Sequence, residues 1–232
     1  MTKRTLALFD LDETLLAGDS DYEWGLFLVD TGVLDRGTYE ARNKEFYDRY
    51  RAGTLDLEEF LDFQLTPLSW FSRAELDAWH AQFMASKILP IIRPGARALL
   101  DRHRDAVQVI ITATNRFVTG PIAAALGVPN LLATNLEEID GRFTGRASGT
   151  PCFREGKVTR LEEWLASRGE RLADYDESWF YSDSANDLPL LSLVTHPAAV
   201  HPDERLRAHA AQRGWPVMSL DRPRKRGQAP FP

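Results

Sequence analysis

Short apolar runs that end abruptly in small polar or acidic residues recur along the chain. Residues 5–9 (TLALF) precede Asp10-Leu11-Asp12, residues 107–111 (VQVII) precede Thr112-Ala113-Thr114-Asn115, and residues 178–181 (SWFY) precede Ser182-Asp183. An apolar run without alternation reads as a parallel strand buried on both faces. Such runs, each delivering polar side chains at its carboxyl end, predict an α/β fold: a Rossmann-like, three-layer parallel sheet whose ligand sits outside those ends. Between the runs the period turns helical. Residues 94–103 open with Pro94 and carry Leu99 and Leu100 inward. Residues 119–126 stop at Gly127, residues 157–168 align Leu161, Trp164 and Leu165 and stop at Gly169, and residues 202–213 close at Gly214. Asp140-Gly141, inside residues 136–143, predicts a hairpin.

Residues 17–87 lack any strand-like run, so they predict a helical insertion after the first strand. Asp56 with Glu59, and Ser72 with Glu75, have the spacing of reciprocal helix caps. Leu57, Phe60, Leu61 and Leu65 then share one helix face. More than half of the aromatic residues fall within residues 22–83. They suffice for a small core and for an aromatic wall over the strand ends. The expected organisation is an α/β core from 1–16 and 88–221, a helical cap from 17–87, and a basic tail from 222–232. In the tail, Arg222, Arg224, Lys225 and Arg226 read as a solvated end.

Composition narrows the setting. The chain has 232 residues, 44% of them hydrophobic and 27% charged, which excludes disorder for its bulk. Its formal net charge of -6 argues against nucleic acid, because phosphate binding needs a basic face. A single cysteine, Cys152, excludes a disulfide framework, fits a reducing cytoplasm and reads as a small buried side chain. No apolar run approaches the ~20 residues of a membrane span. Asp10, Asp12 and Glu13 interrupt the N-terminal run before a signal segment is complete. His80, His103, His196, His201 and His209 lack metal spacing and read as surface or capping residues.

The strand ends carry the candidate chemistry. Asp10 and Asp12 follow the first run, and a turn there lets both approach one site. Asp183 and Asp187 follow another run, where Asp187 is also placed to cap the next helix. These acids are the hard oxygen donors that Mg²⁺ takes. Thr112 adds a hydroxyl and Lys157 a cation, completing the parts of a phosphoryl-transfer site. Thr114 and Asn115 either touch the phosphate or cap the following helix.

With these residues in order, the chain resembles the haloacid dehalogenase (HAD) superfamily phosphatases, in the branch of phosphoserine phosphatase and related small-metabolite phosphatases. The resemblance rests on FDLDETL at residues 9–15, Thr112 after VQVII, Lys157 in REGKV, and SDSANDLPLL at residues 182–191. It implies that Asp10 is a nucleophile forming an aspartyl-phosphate and that Asp12 is the general acid and base, with a raised pKa. It implies Mg²⁺ held by Asp10, the Asp12 carbonyl and Asp183, and phosphoryl oxygens held by Thr112, Ala113, Lys157 and Asn186, with Asp187 supporting the lysine. Ser182 and Ser184 stand where the family more often has glycine. Asp19 aligns with the acid that meets the substrate amine in phosphoserine phosphatases. Asp62 falls at the place of the arginine that meets the substrate carboxylate. If Asp19 and Asp62 both face the strand ends, the pocket selects a cationic arm, as in histidinol phosphate. Phosphoserine is the alternative substrate, and a non-catalytic binding protein on this scaffold the alternative function.

Overall fold

The computed structural model describes residues 3–221; the basic tail at 222–232 lies outside them. Strands β1 (Thr5–Phe9), β2 (Val107–Asn115), β3 (Asn130–Ile139), β4 (Arg142–Ser148), β5 (Glu177–Ser182), β6 (His196–Val200) and β7 (Val217–Met218) form one sheet in the order β4-β3-β2-β1-β5-β6-β7. All neighbours are parallel except β3 and β4. Alternate residues of β1 feed opposite layers: Ala7 and Phe9 enter one core, Leu6 and Leu8 the other. Helices α1 (Ser20–Asp30), α2 (Arg36–Ala52), α3 (Leu57–Ser69) and α4 (Arg73–Phe83) lie between β1 and α5 (Ala96–Arg102). The remaining helices are α6 (Arg116–Leu126), α7 (Glu155–Ser167), α8 (Leu188–Leu191) and α9 (Glu204–Arg213). A smaller cluster of Phe46, Leu55 and Phe153, with Tyr50 and Phe60 against it, joins the inserted helices to the sheet layer.

β1 sits between β2 and β5, where the strand order reverses, and such a switch point opens a crevice at the carboxyl ends. Phe9 is in register with both Ile110 and Tyr181, so the ends of these strands stand side by side. The amide of Asp10 extends the ladder by donating to the Tyr181 carbonyl at 2.9 Å.

Several elements differ from expectation for local reasons. β2 continues through Asn115, with its pairing to β3 irregular between Ile111 and Asn115. Helix α6 therefore starts before Thr119, at Arg116, with the Asn115 side chain accepting from the Val118 amide. The hairpin forms on Asp140 (φ 51) and Gly141 (φ 74), both left-handed as a two-residue turn requires. The Ser72–Glu75 capping box is complete. At Asp56 only half of the box forms, because the Glu59 carboxylate turns away to Arg42 and Arg49. Cys152 is fully buried, and burial pushes its thiol up to about 12. Among the described residues no helix is long and apolar enough to cross a membrane.

Two histidines are core residues rather than surface ones. His80 packs between Trp24, Phe83 and Phe117, with Nε2 2.9 Å from the Val118 carbonyl. His103 lies behind β5, with Nε2 2.8 Å from the Tyr181 hydroxyl. Burial, with Arg102 nearby, depresses its imidazole from 6.5 to about 4. The unfolded chain therefore takes up the proton first. The stability of the neutral ring is complete above the unfolded pKa and is lost as pH falls from about 6.5 toward 4. By pH 5 the loss is about 2 kcal/mol. His103→Gln, which cannot titrate, should lose correspondingly less stability between pH 7 and pH 5 in urea denaturation. An equal loss in both proteins would exclude His103 as the source.

Candidate active site

The turn after β1 reverses at Glu13 (φ 56), and this brings Asp10 and Asp12 to the same crevice. Asp10 is buried. Its Oδ1 accepts from Lys157 Nζ at 2.8 Å, and its Oδ2 accepts from the Thr14 hydroxyl at 3.1 Å. Thr14 also reaches Asp183 Oδ1 at 3.3 Å, so a single hydroxyl spans the two acids. Lys157, near the start of α7 and fully buried, gives its second bond to Asp187 Oδ2 at 2.8 Å. Ser182 donates to the same Asp187 oxygen at 2.7 Å, and Ser182 Oγ accepts from the Ser184 amide at 3.1 Å. The serines thus add donors and acceptors that glycines would lack. Asp187 does not cap α8 through its side chain, because Lys157 and Ser182 engage its carboxylate.

Asp12 is gripped differently. Its Oδ1 accepts from the Ser20 amide at 2.7 Å, and its Oδ2 from the Thr114 hydroxyl at 2.8 Å and the Thr112 hydroxyl at 3.2 Å. Above these groups lies a small cavity of about 30 Å³, lined by Asp10, Asp12, Thr112, Ala113 and Thr114 below. Asp19, Asp21, Gln64 and the rings of Tyr22, Phe46 and Tyr50 line it from the inserted helices. Asp19 caps α1 by accepting from the Tyr22 amide at 2.8 Å. Asp21, buried, accepts from Asn115 Nδ2 at 3.0 Å.

Two expected site residues are elsewhere. Asp62 is exposed on α3 and accepts from the Thr66 hydroxyl at 3.3 Å. A step of two residues turns a helix by about 200°. With Phe60 and Gln64 facing the cavity, Asp62 must face away. Gln64 is the polar α3 residue in the cavity lining, held by Tyr39 at 3.3 Å and Asn43 at 3.2 Å. Asn186, expected on a phosphoryl oxygen, instead donates to the Tyr50 carbonyl at 3.2 Å and accepts from Arg154 Nε at 3.3 Å. Arg154 in turn donates to the Gly53 carbonyl at 2.6 Å, so both side chains serve the end of α2. Sequence reading missed Thr14, Ser20 and Asp21. Thr14 stands within FDLDETL, and Asp21 two residues past Asp19, so both are open to inspection in the sequence.

The electrostatics follow from burial. Burial pushes Asp10 up to about 7 despite Lys157, and Asp21 up to about 8. Burial also raises Asp12, Asp19 and Asp183; for Asp183 the neighbouring Asp10 and Asp187 add to the effect. Burial alone would depress the Lys157 ammonium, but Asp10 and Asp187 outweigh it and hold it above its ordinary value. Among the described residues no three His, Cys, Asp or Glu side chains form a ready cage. The Asp10–Asp183 pair does suit a divalent cation: Asp10 raises Asp183, and two carboxylates sharing the Thr14 hydroxyl gain from a positive charge between them. A site of few protein oxygens also suits an ion that keeps waters and substrate oxygens. One carboxylate beside a buried cation and a second across the crevice can divide nucleophilic attack and proton transfer between them.

The chain belongs to the haloacid dehalogenase-like hydrolase family, whose model matches residues 7–192. It is 46% identical over 220 residues to a histidinol-phosphatase of Neisseria meningitidis serogroup C (strain 8013), covering 94% of this chain and 99% of that one. A Bordetella pertussis Tohama I protein of unknown function shares its structure with a TM-score of 0.90 at 49% identity, over 94% of this chain and 100% of that one. A substrate-bound phosphoserine phosphatase shares the fold at a TM-score of 0.67 and 20% identity, over 96% of this chain and 95% of that one.

Proposed function

We propose that the protein is a Mg²⁺-dependent phosphatase of small phosphorylated metabolites, acting in the cytoplasm, with histidinol phosphate as its substrate. In this reading residues 17–87 are a cap over a core of residues 1–16 and 88–221. The observation that carries the substrate class is the cavity wall, which among the described residues contributes Asp19 and Asp21 and no Arg or Lys. A substrate arm bearing an amine and an aromatic ring is matched there, whereas a free carboxylate meets acids, rings and neutral side chains with no cation to pair it. The selectivity thus rests on Asp19 with Asp21, not on Asp19 with Asp62. The named relative supports the same choice.

Asp10 attacks phosphorus as the bond to the leaving oxygen breaks, and Asp12 donates its proton to that oxygen. A water then attacks the aspartyl-phosphate, Asp12 takes the water's proton, and Asp10 is released with inorganic phosphate. Thr112, the Ala113 amide and Lys157 hold the phosphoryl oxygens, and Asp187 with Ser182 holds Lys157. Asp10, Asp183 and the Asp12 carbonyl would hold Mg²⁺, which when bound supplies charge neutralisation at the phosphoryl oxygens.

The test is phosphate release from histidinol phosphate and from phosphoserine, with Mg²⁺ and after chelation. A higher kcat/KM for histidinol phosphate, and loss of both activities on chelation, are expected; faster phosphoserine turnover would overturn the substrate. Asp19→Asn keeps a good helix cap while removing the charge. One charged hydrogen bond is worth about 1.5–3 kcal/mol, so the variant should lower the histidinol phosphate to phosphoserine ratio by ~10–100-fold. An unchanged ratio would remove Asp19 from amine recognition.

A further inference from the structure

We propose that Thr114 is the positioning residue for the proton-transferring carboxylate of Asp12, and that Asn115 completes the device by seating the first turn of α1. This rests on the phosphatase reading, with Asp12 as the proton carrier. Asp12 sits on a short turn, and each of its carboxylate oxygens is claimed by a different element. Oδ1 belongs to α1, through the Ser20 amide at 2.7 Å. Oδ2 belongs to the end of β2, through the Thr114 hydroxyl at 2.8 Å and, more weakly, the Thr112 hydroxyl at 3.2 Å. The Thr112 hydroxyl is itself fixed by the Thr114 amide at 3.2 Å. Two holds on opposite oxygens fix the plane of the carboxylate.

The two holds differ in kind. The Ser20 amide can only donate, so Oδ1 is kept as an acceptor. The Thr114 hydroxyl holds Oδ2 and has both a proton and lone pairs to offer, so its contact with Asp12 can survive whether that carboxyl is ionised or protonated. Asn115 links the elements: its Nδ2 donates to Asp21 on α1 at 3.0 Å while its Oδ1 accepts from the Val118 amide at 3.1 Å. Thus residues 112–115 at the end of β2 aim Asp12 directly and also anchor the helix that grips its other oxygen. Proton transfer depends on sub-ångström placement, so loosening one hold should be felt in the steps that use it.

Departure of an alkyl leaving group needs a proton, whereas departure of p-nitrophenolate hardly does. Thr114→Val and Thr114→Ser would be compared with the wild type on p-nitrophenyl phosphate and on the faster of histidinol phosphate and phosphoserine. In Thr114→Val, kcat/KM for the alkyl ester should fall ~10–100-fold, and that for p-nitrophenyl phosphate only a few-fold. Its p-nitrophenol release should show a burst, because hydrolysis of the phosphoenzyme also uses Asp12. Thr114→Ser should restore the alkyl activity to within a few-fold. Equal losses on both esters, no loss on either, or failure of serine to rescue would overturn the proposal while leaving the phosphatase reading intact. A wild-type protein that hydrolyses neither ester would defeat both.

Discussion

Asp10→Asn should fold normally and lose phosphatase turnover by ~10⁴-fold or more, the scale on which removal of a covalent nucleophile is felt. The amide is a poor nucleophile and a poor metal donor, yet it fills the same space: its oxygen can still accept from Lys157, and its nitrogen can donate to the Thr14 hydroxyl in place of accepting from it. Lys157 keeps its partner Asp187, so no buried cation is orphaned. Removing one of the crowded buried acids should leave the thermal midpoint unchanged or slightly raised. Phosphate release and thermal unfolding on the purified variant check both halves. A phosphorylated peptide trapped elsewhere than Asp10 in wild-type protein would exclude it as the nucleophile.

Lys157→Met should cost both activity and stability. The ammonium is the shared partner of Asp10 and Asp187, at 2.8 Å from each, with all three side chains buried. Methionine matches its bulk but leaves two buried carboxylates facing one another. Breaking such a pairing costs about 3–5 kcal/mol, which chemical denaturation would register directly. Turnover should fall by ~10³-fold or more, because a phosphoryl-oxygen contact goes with the cation. Adding Asp187→Asn to Lys157→Met should recover part of the stability and none of the activity. Recovery of both would reduce Lys157 to a structural role.

The parts of the site fixed by short-range pattern are legible in the sequence. An apolar run ending in acids or small polar residues marks a strand and its carboxyl end together, which is why Asp10, Thr112 and Asp183 can be placed from the chain alone. Lys157 follows from its helix start. Helix phase is legible too, and Asp62 shows what happens when it is not applied: Asp56 caps α3, and the inward face through Phe60 and Gln64 turns Asp62 to solvent. Asn186 is a different case. Its amide is claimed by the carbonyl of Tyr50, and no local pattern near residue 186 announces a partner in α2. His103 escapes sequence reading because the Tyr181 hydroxyl that satisfies it comes from a distant strand. β6 escapes it because His196-Pro197 looks like a break, although proline is tolerated in a strand's opening residues.

The central place of β1 has a bearing on how the chain is made. β1 precedes both of its neighbours: Leu6 pairs with Val107 on one side and Ser178 on the other. During synthesis its apolar residues emerge with both edges bare, and each edge stays bare until a far later segment appears. Non-local pairing of this kind is slow to form and leaves an open strand available to wrong partners in the meantime. The acids that end it, Asp10, Asp12 and Glu13, therefore have a second use as gatekeepers, keeping a sticky segment short and flanked by charge while it waits.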